Sequence, residues 1–392
     1  MNERLFQYIW SNLYFDFRRL ISLHGKNITI IHQGKLNQGD GPDFHDAVIK
    51  VDGLLFHGAV ELHLNAKDWF QHNHQNDERY NNVILHVVLF DKDLCDVTRY
   101  DGTQPFTLLL KPYISSKIHS IFKRQNKFHG LACSGFLKEI PVNIIQEQWQ
   151  DSRSEYFEYK VDQLSPHFKQ METNFPAWKT ALTFGLFDGL GISDNREAMK
   201  HLCSLFFKKK EGGNQKAPVI KQMLWELSGL SNHSDRAEMS RTEWSFSGTR
   251  PKNQPDIRIP QAANLLSNLI EIPSPFSMDQ IDDVWIHLMK IRNGICEPIG
   301  KNRQDVLFAT VFLPSLYLLG IQQNHSELQK EAFNLWQNYQ IPVPRKISQK
   351  FKATGLESKY FRHHLGVIFQ FKHYCKNGEC QDCKIMKYAL KT

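Results

Sequence analysis

The spacing of apolar residues changes character once along this chain, and that change limits the fold more than any single motif. Up to about residue 110 the pattern is that of strands. Val83-Ile84-Leu85-His86-Val87-Val88-Leu89-Phe90 is almost continuously apolar and predicts a central strand, while Ile28–His32 and Phe106–Leu110 predict two shorter ones. Beyond about residue 140 the spacing turns helical, through Ile145, Trp149, Tyr156 and Val161 and again through Ile281, Val284, Trp285 and Leu288. Asn143 with Gln146, and Ser277 with Gln280, predict capping boxes before these stripes. A first helix is predicted over residues 3–24, and loops are expected at Lys208–Ala217 and Thr249–Pro260.

A chain of 392 residues exceeds one ordinary core. The expected organisation is an α/β domain over 1–135, followed by a mainly α-helical domain over 136–392 that ends in a Cys-rich, metal-binding segment. The polar start Met1-Asn2-Glu3-Arg4 predicts no secretory leader, and no unbroken apolar run reaches the length of a membrane span. A soluble, cytoplasmic protein without membrane contact is therefore expected. Seven cysteines, an odd number, argue for reduced thiols over a disulfide framework. Net charge +7 and a pI near 8.9 are permissive for polyanionic partners. Protein partners and oligomeric state stay open.

The turn-rich stretch Gly34–Pro42 opens onto a predicted hairpin from Phe44 to Leu64, folded back at Val51-Asp52-Gly53. Within its second strand Glu61 and His63 share one face, and Val60, Leu62 and Leu64 the other. A three-residue loop with Gly53 left-handed puts Asp43 opposite Glu61, close enough for two carboxylates to share a hard cation. A two-residue turn at Asp52-Gly53 instead pairs Asp43 with Leu62, unless a bulge near Gly58 restores the register. The three-residue loop is the expectation.

Helix, strand, turn, Pro42-Asp43, hairpin and Glu61-Leu62-His63 together resemble the PD-(D/E)XK nuclease core. That resemblance implies a restriction-endonuclease-like mixed sheet with flanking helices, in which Asp43 and Glu61 hold Mg²⁺ or Mn²⁺. His63 stands where that family has a lysine, as a general base, an orienter of water or a third ligand that favours Mn²⁺ or another transition metal. Asn76-Asp77-Glu78-Arg79-Tyr80 is similar to the Gln-to-Tyr helix motif of exonuclease-type members, with Asn76 replacing Gln. Nearly the whole chain also resembles a bacterial family of unknown function, through Gly41-Pro42-Asp43-Phe44, Val60-Glu61-Leu62-His63, Asp68-Trp69, His72-Asn73-His74, Leu85-His86-Val87-Val88 and the terminal cysteines. That second resemblance implies no activity.

A different reading of the same region joins His63, His72, His74 and His86 with Glu61 or Asp77 in a zinc-type site. It requires His72 and His74 to converge, which a strand allows and a helix does not. Near the C-terminus Cys375-x₄-Cys380-x₂-Cys383 can converge on one soft metal, with His373, Cys133 or Cys296 as the fourth ligand. Zinc and an iron–sulfur cluster are both candidates, and nucleases of the resembled core that carry such a cluster use one cysteine apart and three together. Lys123, Arg124, Lys127, Arg250 and Arg258, with Lys208-Lys209-Lys210, Arg241 and Lys252, are candidate phosphate contacts, and Trp244 and Phe246 candidate base-stacking groups. The leading expectation is metal-dependent hydrolysis of phosphodiester bonds in nucleic acid, DNA before RNA. The alternatives are a nucleic-acid-binding protein without catalysis and a metal hydrolase of a small substrate.

Overall fold

The computed structural model describes residues 3–90, 92, 94–125, 131–169, 176–209, 216–231, 237–247, 251–272, 281–292 and 294–391. The chain forms two compact units. One comprises Met1–Asp151, Val343–Arg362 and Val367–Thr392; the other Ser152–Pro342 and His363–Gly366. The terminal cysteine segment is thus part of the unit that carries Asp43, Glu61 and His63.

That first unit is built on a seven-stranded mixed sheet: β1 (Leu20–Ile21), β2 (Asn27–His32), β3 (Lys35–Leu36), β4 (Phe44–Val51), β5 (Leu54–His63), β6 (Val83–Val88) and β7 (Phe106–Leu109). The order is β1-β2-β4-β5-β6-β7, with β3 paired to β4 beyond the end of β2. Pairings up to β5 are antiparallel, and β5-β6 and β6-β7 are parallel. The Leu23 N–H donates to the Thr107 carbonyl at 2.7 Å, which draws the two outer edges together into a nearly barrel-shaped sheet.

β6 is the central strand that its apolar run predicts, and it is buried along almost its whole length. β5 changes midway: Leu54 and Leu55 lie exposed at the hairpin tip, whereas Ala59 to His63 are buried without interruption. Its last residues are therefore covered on both faces, the polar face included. A parallel β5-β6 pair needs a crossover. Here the crossover is α2 (Asp68–Gln71) followed by two 3₁₀ turns, His74–Asn76 and Glu78–Tyr80, with Trp69 and Tyr80 packed into the core beside Ala59, Val83 and Val97. The Asn76–Tyr80 segment, which resembles a helix motif, lies on these two 3₁₀ turns.

α1 (Glu3–Ser11) buries Leu5, Phe6, Ile9 and Trp10 on one face. The predicted helix over 3–24 ends early because Leu13 takes a left-handed conformation at φ 51° and the chain turns back to put Phe15 against Trp10. α3 (Ser116–Gln125) follows the sheet, and α4 (Val142–Lys169) begins one residue before Asn143, so Asn143 lies inside the helix and is not its cap. Ser277 and Gln280 lie outside the described residues.

The second unit is helical among the described residues, with Ala177–Leu190, Ile192–Lys208, Ala217–Leu227 and the unbroken stretch Lys301–Gln322 among its helices. The loop expected over Thr249–Pro260 is instead largely the helix Pro255–Glu271, which Pro255 can open because the first turn needs no amide donor. Lys301–Gln322 is long and apolar enough to cross a membrane, although Thr310, Pro314, Ser315 and Gly320 interrupt its apolar run. It is 72% buried over its most apolar window, as a core helix is. Gly185 and Gly189 let it approach closely, since a Cβ at either position would meet Val311 or Leu307 at about 2.5 Å.

Candidate metal centre

The hairpin brings Asp43 to Glu61 by a route other than the expected one. Val51 pairs with Leu54, so the turn is the two-residue Asp52-Gly53, both at positive φ (46° and 94°), the geometry of a type I′ turn. The register is then shifted by a bulge: Phe44 faces Val60 and Ala47 faces Gly58, so His45 and Asp46 together oppose Ala59. Asp46 absorbs the extra residue at φ 57°. The three-residue loop was thus the wrong premise, and the bulge, on β4 opposite Ala59, restores the same pairing of Asp43 with Glu61.

The two acids are held by main-chain donors. The Asp43 N–H donates to Glu61 Oε2 at 2.9 Å, and the Leu62 N–H donates to Asp43 Oδ2 at 3.0 Å. Gln7 on α1 donates to Asp43 Oδ1 at 2.7 Å. Both Asp43 oxygens therefore already accept protein hydrogen bonds, while Glu61 Oε1 faces imidazoles: His74 Nε2 at 3.2 Å and His63 Nε2 at 3.5 Å. His63 Nε2 lies 3.2 Å from His72 Nδ1. One ligand atom from each of His63, His72 and His74 falls within 4.8 Å of the other two.

His72 and His74 converge without a strand. His72 caps the end of α2, Asn73 adopts the left-handed region at φ 63°, and His74 starts the next 3₁₀ turn, so the chain reverses between the two imidazoles. Asparagine suits that position, because its short polar side chain tolerates the left-handed region better than most residues. His74 is clamped by the Tyr80 ring, stacked at 3.8 Å and 22°. Asp77, the other acid considered for this site, is held by Arg79 at 2.6 Å and caps its own turn.

Behind the cluster stands His86, fully buried on β6, with Nε2 2.9 Å from His63 Nδ1. When His63 Nδ1 carries the proton and donates to His86, His63 Nε2 presents its lone pair to the other imidazoles, as a metal-ligating histidine does. Among the described residues His74 Nε2 has no hydrogen-bond donor or acceptor of proper geometry, although it is buried.

Burial dominates the electrostatics. It pushes the Glu61 carboxyl up to about 8 and, with the neighbouring Glu61 charge, the Asp43 carboxyl up to about 7. It pulls His74 down to about 4 and His86 to about 3, and holds His63, crowded by the other imidazoles, far below the usual histidine range. His63, His74 and His86 are thus held neutral, which is the form that binds metals. Glu3 is also raised, by burial first, and it lies near His72 and His74.

Glu3 and Gln7, four residues apart on α1, were not singled out from the sequence; a polar pair at that spacing opposite an apolar stripe was the available signal. The basic candidates fare differently. The side chains of Lys123 and Arg124, and residues Lys127 and Arg250, lie outside the described residues. Arg258 is only 6% exposed and donates to Gln261 and Asn253, so it is turned into its own unit rather than toward a phosphate. Trp244 is likewise buried, its indole N–H donating to the Ser228 carbonyl, and is not free to stack on a base.

A family model described as a protein of unknown function (DUF2851) matches residues 3–234, which takes in the whole histidine cluster and Cys133 but not the terminal cysteines. No curated protein matches the chain, and neither does any solved structure.

Proposed function

The chain belongs to the DUF2851 family of proteins of unknown function, and from that premise we propose that it is a transition-metal-dependent hydrolase acting on phosphodiester bonds, nucleic acid being the first substrate class. One observation carries the metal reading: His63, His72 and His74 each bring a nitrogen within 4.8 Å of the other two, His63 Nε2 lies 3.2 Å from His72 Nδ1, and Glu61 Oε1 lies 3.2 Å from His74 Nε2 and 3.5 Å from His63 Nε2. Donors around a tetrahedral zinc with bonds of about 2.0 Å are roughly 3.3 Å apart. An imidazole-rich donor set suits zinc, iron, nickel or copper better than Mg²⁺. The ligands in this reading are His63, His72, His74 and Glu61, with Asp43 orienting Glu61 through its own N–H.

Held by these four side chains, a divalent ion would supply Lewis acidity for activating water. His86 fixes the His63 tautomer, Tyr80 holds His74, and Gln7 with the Leu62 N–H holds Asp43. His72 is exposed, so the cluster reaches solvent on that side and substrate can approach. The phosphodiester preference rests on the +7 net charge and on the resemblance of the Asp43–Glu61 hairpin to a nuclease core.

The test is cleavage of labelled single- and double-stranded DNA and RNA with Zn²⁺, Mn²⁺ or Mg²⁺, comparing the intact chain with Glu61→Ala and His72→Ala. Metal-dependent cutting that both substitutions abolish supports the proposal. Metal bound by the intact chain without cutting of any nucleic acid overturns the substrate assignment, and cutting that survives both substitutions overturns the site.

A further inference from the structure

The terminal cysteines belong to a second constellation in the first unit, independent of the histidine cluster. Cys375, Cys380 and Cys383 come together with Cys133, more than two hundred residues earlier, around one cavity of about 30 Å³. Local geometry prepares this. Gln370–Cys375 is a π-helical turn, whose i to i+5 spacing sets Gln370 and Cys375 toward the same cavity, and the 3₁₀ turn Cys380–Asp382 folds the chain so that Cys380 and Cys383 face inward. None of these cysteines is in a disulfide.

Buried polar side chains are aimed at the sulfurs. Gln370, 2% exposed, donates from Nε2 toward Cys383 Sγ at 3.4 Å and lies 3.9 Å from Cys375 Sγ. Its orientation is fixed from behind: Gln148 Nε2 donates to Gln370 Oε1 at 2.8 Å, and Gln148 Oε1 accepts the Lys384 N–H at 2.6 Å. A main-chain N–H therefore sets one amide, which sets the next, so that N–H donors point at two thiol sulfurs. Both buried amides are committed to this arrangement, and N–H donors to ligating sulfurs are the usual outer shell of thiolate metal sites.

We propose that Cys133, Cys375, Cys380 and Cys383 bind a soft metal centre, one zinc ion or an iron–sulfur cluster, with Gln370 as its hydrogen-bonding support. Cys133 is the fourth ligand. His373 stacks on Phe369 at 4.0 Å, and Cys296 belongs to the other compact unit. The centre fastens the segment on which α1 rests: Arg4 reaches Glu379 at 3.1 Å, Lys387 lies over the Tyr8 ring, and α1 packs against the Cys380–Asp382 turn. The same helix carries Gln7, which donates to Asp43 Oδ1.

The test uses the full chain purified without oxygen. A mercurial thiol reagent is added stepwise while released zinc and iron, acid-labile sulfide and visible absorption are followed. Release of one zinc, or of iron with matching sulfide and loss of the visible band, as four thiols react, is the expected result, and the two patterns identify the centre. In parallel, Cys133→Ser and Cys383→Ser lose that metal while Cys95→Ser and Cys296→Ser keep it. No metal released as the thiols of the intact chain react would overturn the proposal whatever the variants do, and so would full metal content in a folded Cys133→Ser.

Discussion

The two constellations of the first unit are assembled in opposite ways. The imidazole cluster is local: Glu61 and His63 end one strand, His72 and His74 sit on the crossover that leaves it, and His86 lies on the strand the crossover reaches. The cysteine constellation is non-local, and Gln148 and Gln370, which support it, stand 222 residues apart. The first is held by sheet register and one left-handed residue, the second by tertiary packing. A local site is expected to fail chemically when altered, with the fold intact, and a non-local one to fail structurally.

The largest separation of these behaviours comes from Glu61→Ala. Hydrolysis is expected to fall by roughly 10²- to 10³-fold, the scale of losing a key charge-stabilising group, with little change in melting temperature. Parallel kinetics and thermal melts check this. A large fall in stability with activity retained would erase the contrast.

Cys375→Ser with Cys383→Ser should act the other way. The expected loss is roughly 2–3 kcal/mol, or about 5–10 °C in melting temperature for a unit of this size. Calorimetry of the full chain reads it, and an unchanged melt would remove the fastening role of that segment.

Smaller effects sharpen the comparison by touching only the outer shells. His86→Phe should weaken metal binding at the imidazoles, and Gln370→Leu at the thiols, each by roughly 10- to 100-fold and each without affecting the other centre. Competition with a chelator of known affinity measures both, and cross-talk of equal size would mean that the two sites are not separate.

The smallest expected effect is at Asn73. Asn73→Ala forces a less suitable residue into the left-handed region and should cost about 1 kcal/mol, while Asn73→Gly should not. Denaturant unfolding of the two variants decides it. Equal stability would mean that the reversal between His72 and His74 does not depend on Asn73.

The same contrast explains what could be read from the sequence. Alternation and apolar runs revealed the hairpin, the central strand and the helical second part, because period is a property of local backbone geometry. The pairing of Asp43 with Glu61 was expected through a loop that does not form, since nothing in the alternation marks Asp46 as the bulge that resets the register. His72-Asn73-His74 was visible as a motif, but its convergence turned on one residue's φ. Leu13 ended a helix whose apolar stripe continued past it. Cys133 could be offered only as one of three fourth ligands, because no local pattern encodes a partner so distant along the chain. Arg258 looked like a phosphate contact because charge is legible in a sequence and burial is not.

Whether His63, His72, His74 and Glu61 hold one metal ion is decided by the metal content of the intact chain against His72→Ala and His74→Ala. Each substitution is expected to remove one transition-metal ion per folded chain and to leave the thiol-bound metal in place. Metal content unchanged in both folded variants would contradict that expectation.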